Sequence, residues 1–382
     1  MNVRIISCWF ATSYGASCAG LRSALEKKLG REVGIITSNC GCGDPVEKNR
    51  VFYNMRCDYF EFPHITYYKS SNLIKYELRN AARRLLYRER ARRYLRLGCG
   101  ADLLHFQQIL NAFGSVAVFN WLSLPSKAAR VVTVHELDPY QVDRPKNNLN
   151  YNKADRVIVH SGEIKDRLVA YGVHEDIIDI VGHGVEVREL PDGPREGIIY
   201  YAGHKMASGK GFETLLKALA LVKSRIGPQT PRLRIHGHYG TAIPEYGLRL
   251  VEENGLKENV QWLNQISVEQ IIEEYQKAMI CTLPYTASFA GMPAVTAMAN
   301  GVPVIATRRA GLPEHLGDAG VWMEDNDVQG LADSLLHLLG NESLRRRLAM
   351  AGRQRAERMF SWDIIAESTL KSYQLACQRK CL

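Results

Sequence analysis

No apolar run in this chain reaches the ~18 residues that a bilayer-spanning helix needs, so no transmembrane helix is expected. The first ten residues, Met1 to Phe10, carry Arg4 and lack both a long apolar region and a small-residue cleavage site. A cleavable signal is therefore not expected. The nine cysteines are an odd number and, apart from Cys40-Gly-Cys42, are scattered. That argues against a disulfide framework and for reduced thiols in a cytosolic protein. A metal site built from Cys40, Cys42, Cys57 and Cys99 lacks the second paired Cys or His spacing that zinc sites show. Repeats of solenoid length are also missing.

Acidic residues are scarce in one segment. Between Lys69 and Arg96 only Glu77 and Glu89 oppose ten cations: Lys69, Lys75, Arg79, Arg83, Arg84, Arg88, Arg90, Arg92, Arg93 and Arg96. The whole chain has a formal charge of +9, which favours anionic partners and says nothing about fold. The segment reads as a long basic helix, roughly 72–97. Arg stems covering apolar surface are one explanation. The other is a membrane-facing patch, favoured because Tyr67, Tyr68, Tyr76, Tyr87 and Tyr94 lie among the cations, as at a lipid interface. Each cation near an anionic leaflet contributes about 1 kcal/mol. Nucleic-acid binding is the rival use, but no recognised module accompanies the segment.

At 382 residues the chain is too long for one ordinary core, so two domains are expected. Val3–Cys8, Val33–Thr37, Asp102–Phe106, Ala129–Val134 and Val157–Val159 read as strands. A turn at Ser13-Tyr14-Gly15-Ala16 leads into a helix that sets Leu21, Ala24, Leu25 and Leu29 on one face. Residues 39–63 read as irregular. This β-loop-α-β order implies a parallel sheet with helices on its faces. The stretch ELPDGPRE, 189–196, is the best linker. A fresh alternation follows: strands at 198–202, 233–237, 260–263, 278–283 and 302–306, with helices at 212–224, 327–339 and 343–360. The segment 361–378 is amphipathic, with Trp362, Ile365, Thr369 and Tyr373 near one face. The expected fold is α/β, two Rossmann-like doubly wound domains facing a central cleft: 1–190, 191–360, and a terminal helix, 361–382, that crosses back to the first domain.

The richest stretch is SFAGMPAVTAMANGVPVIAT, 288–307. A loop at Gly291 runs into a helix opening at Pro293 and closing at Gly301. Pro at the start and Gly past the end is the usual asymmetry. The loop amides of Ala290, Gly291 and Met292 and the positive end of the helix converge on one spot, a ready anion site.

An ordered set of motifs runs along the chain: DLLHF at 102–106, TVHEL at 133–137, VIVHS at 157–161, GHGV at 182–185, YAG at 201–203, GKGFETLLKAL at 209–219, LRIHGHYG at 233–240, GLPEHLGDAGVWME at 311–324 and FSW at 360–362. With the 288–307 stretch, the set resembles the retaining GT-B glycosyltransferases of family 4 type (glycosyl transferases group 1). The resemblance covers nearly the whole chain and is strongest from about position 130 onward.

The resemblance implies a nucleotide-diphosphate sugar as co-substrate and no other cofactor. No metal is expected, because Lys210 and the helix dipole supply positive charge and no Asp-x-Asp metal motif is expected. It puts Lys210 on the donor diphosphate, where a flexible ammonium can follow charge growing on the leaving phosphate. His204 stands where the family has a second clamping arginine, and Lys205 beside it can substitute. His135 matches a histidine that hydrogen-bonds the transferred sugar. Gly15 lets the first loop approach the diphosphate or acceptor closely. The family pattern of two glutamates separated by seven residues reads Ser288 and Thr296 here, which can hydrogen-bond but supply no negative charge. A divergent transferase, partial replacement by Glu314, and a scaffold without catalysis all remain open, as does a phosphorylase or epimerase on the same scaffold. The acceptor is expected to be a glycan or glycolipid. The protein is expected in the cytoplasm, peripheral on the inner membrane face through 69–96, with no nucleic acid beyond the nucleotide.

Overall fold

The computed structural model describes residues 1–7, 13–39, 58–61, 100–107, 126–135, 151–202, 209–236, 243, 245–263, 266–287, 291–309 and 311–381. These form two compact units, Met1–Gly184 with Trp362–Leu382, and Val185–Ser361.

Among the described residues, the first unit runs β1 (Val3–Ser7), α1 (Ser13–Leu29), β2 (Gly34–Asn39), β3 (Asp58–Glu61), β4 (Leu103–Gln107), β5 (Ala129–Val134), β6 (Arg156–Val159), α2 (Gly162–Ala170) and β7 (Ile178–Ile180). The second runs β8 (Ile198–Tyr201), α3 (Phe212–Ile226), β9 (Arg232–His236), α4 (Glu245–Glu253), β10 (Val260–Leu263), α5 (Val268–Lys277) and β11 (Ile280–Leu283). It continues with α6 (Met292–Ala299), β12 (Val304–Thr307), α7 (Leu312–Leu316), β13 (Gly320–Met323), α8 (Val328–Gly340) and α9 (Glu342–Phe360). The last helix, α10 (Trp362–Cys381), belongs to the first unit.

Both sheets are parallel. Their strand orders are β3-β2-β1-β4-β5-β6-β7 and β10-β9-β8-β11-β12-β13. Each contains the doubly wound order 3-2-1-4-5-6, in which the winding reverses between the first and fourth strands. β4, β5, β8, β11 and β12 are buried at every position, as expected where helices cover both faces of a parallel sheet.

Helical spacing explains the packing. In α3, Phe212, Leu215, Leu216, Leu219 and Val222 are buried and meet Leu331, Leu335 and Leu338 of α8. Each such side chain contributes roughly 1.5–3 kcal/mol on burial. In the first unit, Cys18, Leu21 and Leu25 of α1 pack with Ile365, Ala366 and Tyr373 of α10. Trp362 opens α10 against two glycines: a Cβ on Gly20 would lie 2.1 Å from its ring, and one on Gly184 2.0 Å.

Several sequence expectations shift. β3 lies inside the stretch read as irregular, and β7, α2, α4, α5, α7 and β13 were not anticipated. The turn at 13–16 is the first turn of α1, so Gly15 stands in a helix rather than a loop. The chain passes between units at Gly184–Val185, before the ELPDGPRE stretch. That stretch is fastened to the second unit. The Arg195 guanidinium donates to the carbonyls of Gln276 at 2.8 Å and Asn300 at 2.6 Å, satisfying helix-terminal carbonyls of α5 and α6. The basic segment 69–96, with Arg79, Arg83, Arg84, Arg88, Arg92 and Arg93, lies outside the described residues, as do Cys40, Cys42, Cys57 and Cys99. Among the described residues no helix is long and apolar enough to cross a membrane.

Candidate active site

In the second unit the winding reverses between β8 and β11, which are paired in the sheet. Loops leaving the carboxyl ends of two such strands diverge and open a crevice where α/β proteins bind ligands. The loop after β8 carries Gly209-Lys210-Gly211, and the loop after β11 carries Pro284–Ala287 and leads to α6. Hydrogen bonds stitch the two together. The amides of Thr286 and Ala287 donate to the Gly209 carbonyl at 2.8 and 3.2 Å. The Tyr201 hydroxyl, at the end of β8, donates to the Lys210 carbonyl at 3.1 Å.

Gly211 has φ 68° and caps α3; a Cβ there would stand 1.8 Å from the Pro284 carbonyl oxygen. Gly209 has φ 88°, and its Cβ would meet the Ala287 methyl at 2.5 Å. Lys210 is therefore held between two positions that only glycine fits. Its side chain is buried, and Nζ lies 4.1 Å from the Tyr285 ring centroid, within cation–π range. The Tyr285 hydroxyl in turn donates to the Ala202 carbonyl at 3.2 Å, which fixes the ring beneath the ammonium.

α6 is capped at its amino end by Gly291, whose φ is 72°, with Pro293 in the first turn. A Cβ on Gly291 would stand 2.9 Å from Nδ1 of buried His315. First-turn amides lack intrahelical acceptors and carry the positive end of the dipole, so the amides of Gly291 and Met292 lie at the positive end of α6. Ser288, Ala290, His204 and Lys205 lie outside the described residues. The Thr296 hydroxyl donates to the Met292 carbonyl one turn back, at 3.0 Å. Glu314 is exposed on α7, where its backbone carbonyl accepts from Arg355 at 2.6 Å.

The sequence does carry an Asp-x-Asp, Asp325-Asn326-Asp327, contrary to the expectation that it has none. The structure gives both carboxylates structural work. Asp325 accepts from Arg309 Nε at 2.7 Å, and Asp327 caps α8 by accepting from the Gly330 amide at 2.8 Å.

In the first unit, the carboxyl edge of the sheet collects histidines. Gln107 ends β4, His135 follows β5, His160 follows β6, and Val181 and His183 follow β7. All three imidazoles are buried. His160 Nδ1 donates to the Val181 carbonyl at 2.8 Å, and His160 Nε2 lies 2.9 Å from His135 Nδ1. The Gln107 side-chain amide lies 2.6 Å from His135 Nε2. The His160 and His183 rings stack at 3.7 Å between centroids. On the far side, His105 links Thr133 Oγ1 and the Tyr373 hydroxyl, each at 2.7 Å. Burial, with His160 and then His105 adding to it, holds the His135 pKa well below the ordinary imidazole value. Burial chiefly, then His160, pushes His105 down to about 3. Both ring nitrogens of His135 are thus engaged within its own unit. Contact with a sugar requires that it exchange one of these partners.

The ligand atoms of His135, His160 and His183 lie within 4.8 Å of one another, and among the described residues they are the candidate for holding a metal. The 2.9 Å separation of His135 Nδ1 and His160 Nε2 is a hydrogen bond. Two nitrogens on one zinc, each ~2.0–2.1 Å from it in tetrahedral geometry, stand about 3.3 Å apart, so a metal would have to part this pair.

Two parallel sheets, each with the 3-2-1-4-5-6 order, and a glycine-bounded lysine at the switch point of the second define an α/β protein of the GT-B fold class. Residues 196–341 match the family model described as Glycosyl transferases group 1, and residues 17–189 match the one described as Glycosyltransferase Family 4. The chain belongs to the group 1 glycosyltransferases. It is 30% identical over 243 residues to D-inositol 3-phosphate glycosyltransferase of Nocardia farcinica, covering 59% of this chain and 53% of that protein. The chain spans about half the length of the curated relatives it matches. Sucrose-phosphate synthase from Thermosynechococcus elongatus superposes with a TM-score of 0.75 at 20% identity, covering 98% of both chains. Anabaena HepE, solved in complex with UDP and glucose, gives a TM-score of 0.73 at 15% identity, covering 98% of this chain and 100% of that one. At such identities these structures speak to fold alone.

Proposed function

We propose that this protein transfers a hexose-type sugar from a nucleotide-diphosphate sugar to a hydroxyl of a glycan or lipid-linked acceptor, with retention of configuration. The observation that carries the reading is Lys210, locked between Gly209 and Gly211 at the β8–β11 switch point, in a loop hydrogen-bonded to the one that leads into α6. As the anomeric C–O bond breaks, its electron pair goes to the β-phosphate oxygen. Lys210 and the amino ends of α3 and α6 supply positive charge to that group in a site already arranged for it. The acceptor oxygen bonds to the anomeric carbon on the same face, and the departing phosphate takes the hydroxyl proton. In this scheme the diphosphate needs no metal. The second unit takes the donor and the first the acceptor, with His135 meeting a hydroxyl of the carbohydrate.

The basic, tyrosine-rich run 69–96 supports a further part of the proposal: the enzyme works at an anionic membrane surface, on the cytoplasmic face. Sedimentation with anionic vesicles but not neutral ones, lost when Arg83, Arg84, Arg92 and Arg93 become Gln, is the expected result.

The deciding experiment is binding and slow hydrolysis across UDP-, GDP-, ADP- and dTDP-linked sugars. One donor should bind saturably, and Lys210→Ala should lower turnover about 10²–10³-fold with an unchanged melting curve. Unaltered turnover in that variant removes Lys210 from the chemistry. Binding without turnover would favour a non-catalytic scaffold, the reading to which Ser288 and Thr296 in place of carboxylates lend weight.

A further inference from the structure

We infer that His160 is a positioning residue that sets the tautomer of His135, leaving His135 Nε2 as a hydrogen-bond acceptor for a substrate hydroxyl. The argument starts at Val181. A backbone carbonyl can only accept, so His160 Nδ1, 2.8 Å away, must carry a proton. A buried imidazole in a cluster of others is disfavoured as a cation, so His160 is neutral and its Nε2 holds a lone pair. His135 Nδ1, 2.9 Å from that lone pair, must then be the donor. The neutral His135 ring has no second proton, and its Nε2 is left able only to accept.

This polarity has a consequence for Gln107. The amide atom placed 2.6 Å from His135 Nε2 is Oε1, which would face lone pair to lone pair. The oxygen and nitrogen ends of the amide are isosteric, and the hydrogen-bond chain decides between them. Gln107 therefore presents its NH₂ to His135. Its Oε1 then turns to His105 Nε2, 3.2 Å from the amide. That fits a His105 that accepts the Tyr373 hydroxyl proton at Nδ1 and donates from Nε2 to Thr133 Oγ1. The one His105 Nε2 proton is shared, chiefly with Thr133 Oγ1 at 2.7 Å and more weakly with the Gln107 oxygen at 3.2 Å, and the chain from Tyr373 to the Val181 carbonyl needs no charged ring. The stack of His183 on His160, 3.7 Å between centroids, holds the His160 ring in the plane this chain requires.

In the free protein Gln107 stands in for a donor. A carbohydrate hydroxyl takes its place at Nε2 by giving its own proton, whereas a carbonyl or phosphate oxygen cannot. The site thus selects a hydroxyl over an acceptor-only group at that position. This consequence rests on the transferase reading; the tautomer assignment itself does not.

The test is long-range ¹H–¹⁵N NMR of the untagged, full-length protein with labelled histidine, the two rings identified from His135→Gln and His160→Gln spectra. Both rings should show the Nδ1–H pattern in the wild type. His160→Gln should keep His135 in that form, because the glutamine carbonyl can accept in place of Nε2. His160→Leu offers no acceptor and should release His135 to the Nε2–H form, donating to Gln107. In parallel, transfer kcat/KM should fall about tenfold in His160→Leu, the value of roughly one hydrogen bond, and return to near wild type in His160→Gln. An Nε2–H pattern for His135 in the wild type overturns the inference even if the variants do not fold. So does an unchanged pattern in a folded His160→Leu, or one equivalent of Zn²⁺ bound by the wild type and lost in that variant. If no nucleotide sugar is turned over, the transferase reading fails alone, and the NMR patterns still decide the tautomer.

Discussion

Gly211→Ala tests the packing on which the Lys210 site depends. The φ of 68° puts Gly211 in the left-handed region, where an alanine costs roughly 1–2 kcal/mol. The new methyl would also stand 1.8 Å from the Pro284 carbonyl oxygen, a distance no Cβ keeps. Relief requires the loop after β11, or the start of α3, to move, and overpacking of this kind costs about 1–3 kcal/mol more. The expected loss is therefore about 2–5 kcal/mol. Gly255 supplies the control. Its φ is 67°, almost the same, yet a Cβ there meets nothing within 4 Å, so Gly255→Ala should lose only the ~1–2 kcal/mol of the backbone conformation. Denaturant unfolding of both full-length variants, with hydrogen exchange of the α3 and β8 amides to report on the second unit, measures the difference. Equal losses in the two, within about 0.5 kcal/mol, would show that the Gly211–Pro284 contact does not constrain the loop. If the contact holds, Gly211→Ala should also weaken nucleotide-sugar binding, because Lys210 must move with its neighbour, and Gly255→Ala should not.

Three other outcomes follow from the same kind of geometry. His236 is held near a pKa of about 4 by burial, with Glu274 opposing. Its folded-state value lies below the unfolded one of about 6.5. Its contribution is therefore whole above pH 6.5 and is lost as pH falls toward 4, at up to ~1.4 kcal/mol per pH unit. Unfolding midpoints between pH 7.5 and 5 should drop less steeply in His236→Phe than in the wild type. Gly20→Ala should cost about 1–3 kcal/mol and Trp362→Ala about 3–5 kcal/mol. The double variant should cost less than the sum, since removing the indole frees the space the methyl needs; strict additivity would refute the contact. Tyr373→Phe should lower stability by about 1–3 kcal/mol, by leaving buried His105 Nδ1 without the hydroxyl now 2.7 Å away; no change on thermal melting would remove that bond from the network.

The sequence exposes the alternation of strands and helices because strands buried on both faces are rich in apolar residues, and β5, buried throughout, falls where the residues alone put it. Lys210 and Gly291 are legible for a similar reason: glycine before and after a lysine, and glycine before Met-Pro, are demanded by backbone geometry. Thr296 shows the limit. Its position in the motif is readable, but not that its hydroxyl turns back onto the helix. β3 escapes notice because Asp58–Glu61 is short and half polar and gains its partner only from β2. α5 could have been found: Ser267 and Gln270 form a capping box, a spacing visible in sequence. The histidine chain could not. His105 lies in β4, and His135 and His160 directly follow β5 and β6; they are far apart in sequence, and only the parallel register sets these strands side by side.

The departure from the two-glutamate pattern is best judged at Thr296. A carboxylate there would give nucleotide hydroxyls a charged acceptor, with hydrogen bonds of about 1.5–3 kcal/mol each, whereas a neutral acceptor gives about 0.5–1.5 kcal/mol. The Thr296 hydroxyl has already given its proton to the Met292 carbonyl, so it can only accept, and it keeps lone pairs for that purpose. It can therefore do the geometric part of a carboxylate's work without the charge. Thr296→Val keeps the shape and removes the oxygen. It leaves the helix with its backbone bonds, so stability should change by less than about 1 kcal/mol. If the hydroxyl receives a ribose proton, affinity for the nucleotide should fall about fivefold, the equivalent of roughly 1 kcal/mol, and Thr296→Ser should restore it. Calorimetry with the nucleotide diphosphate identified in the donor panel measures both. An affinity within twofold of wild type in a folded Thr296→Val means that the hydroxyl serves only the helix. Ribose recognition must then fall to backbone groups, which no side-chain motif encodes.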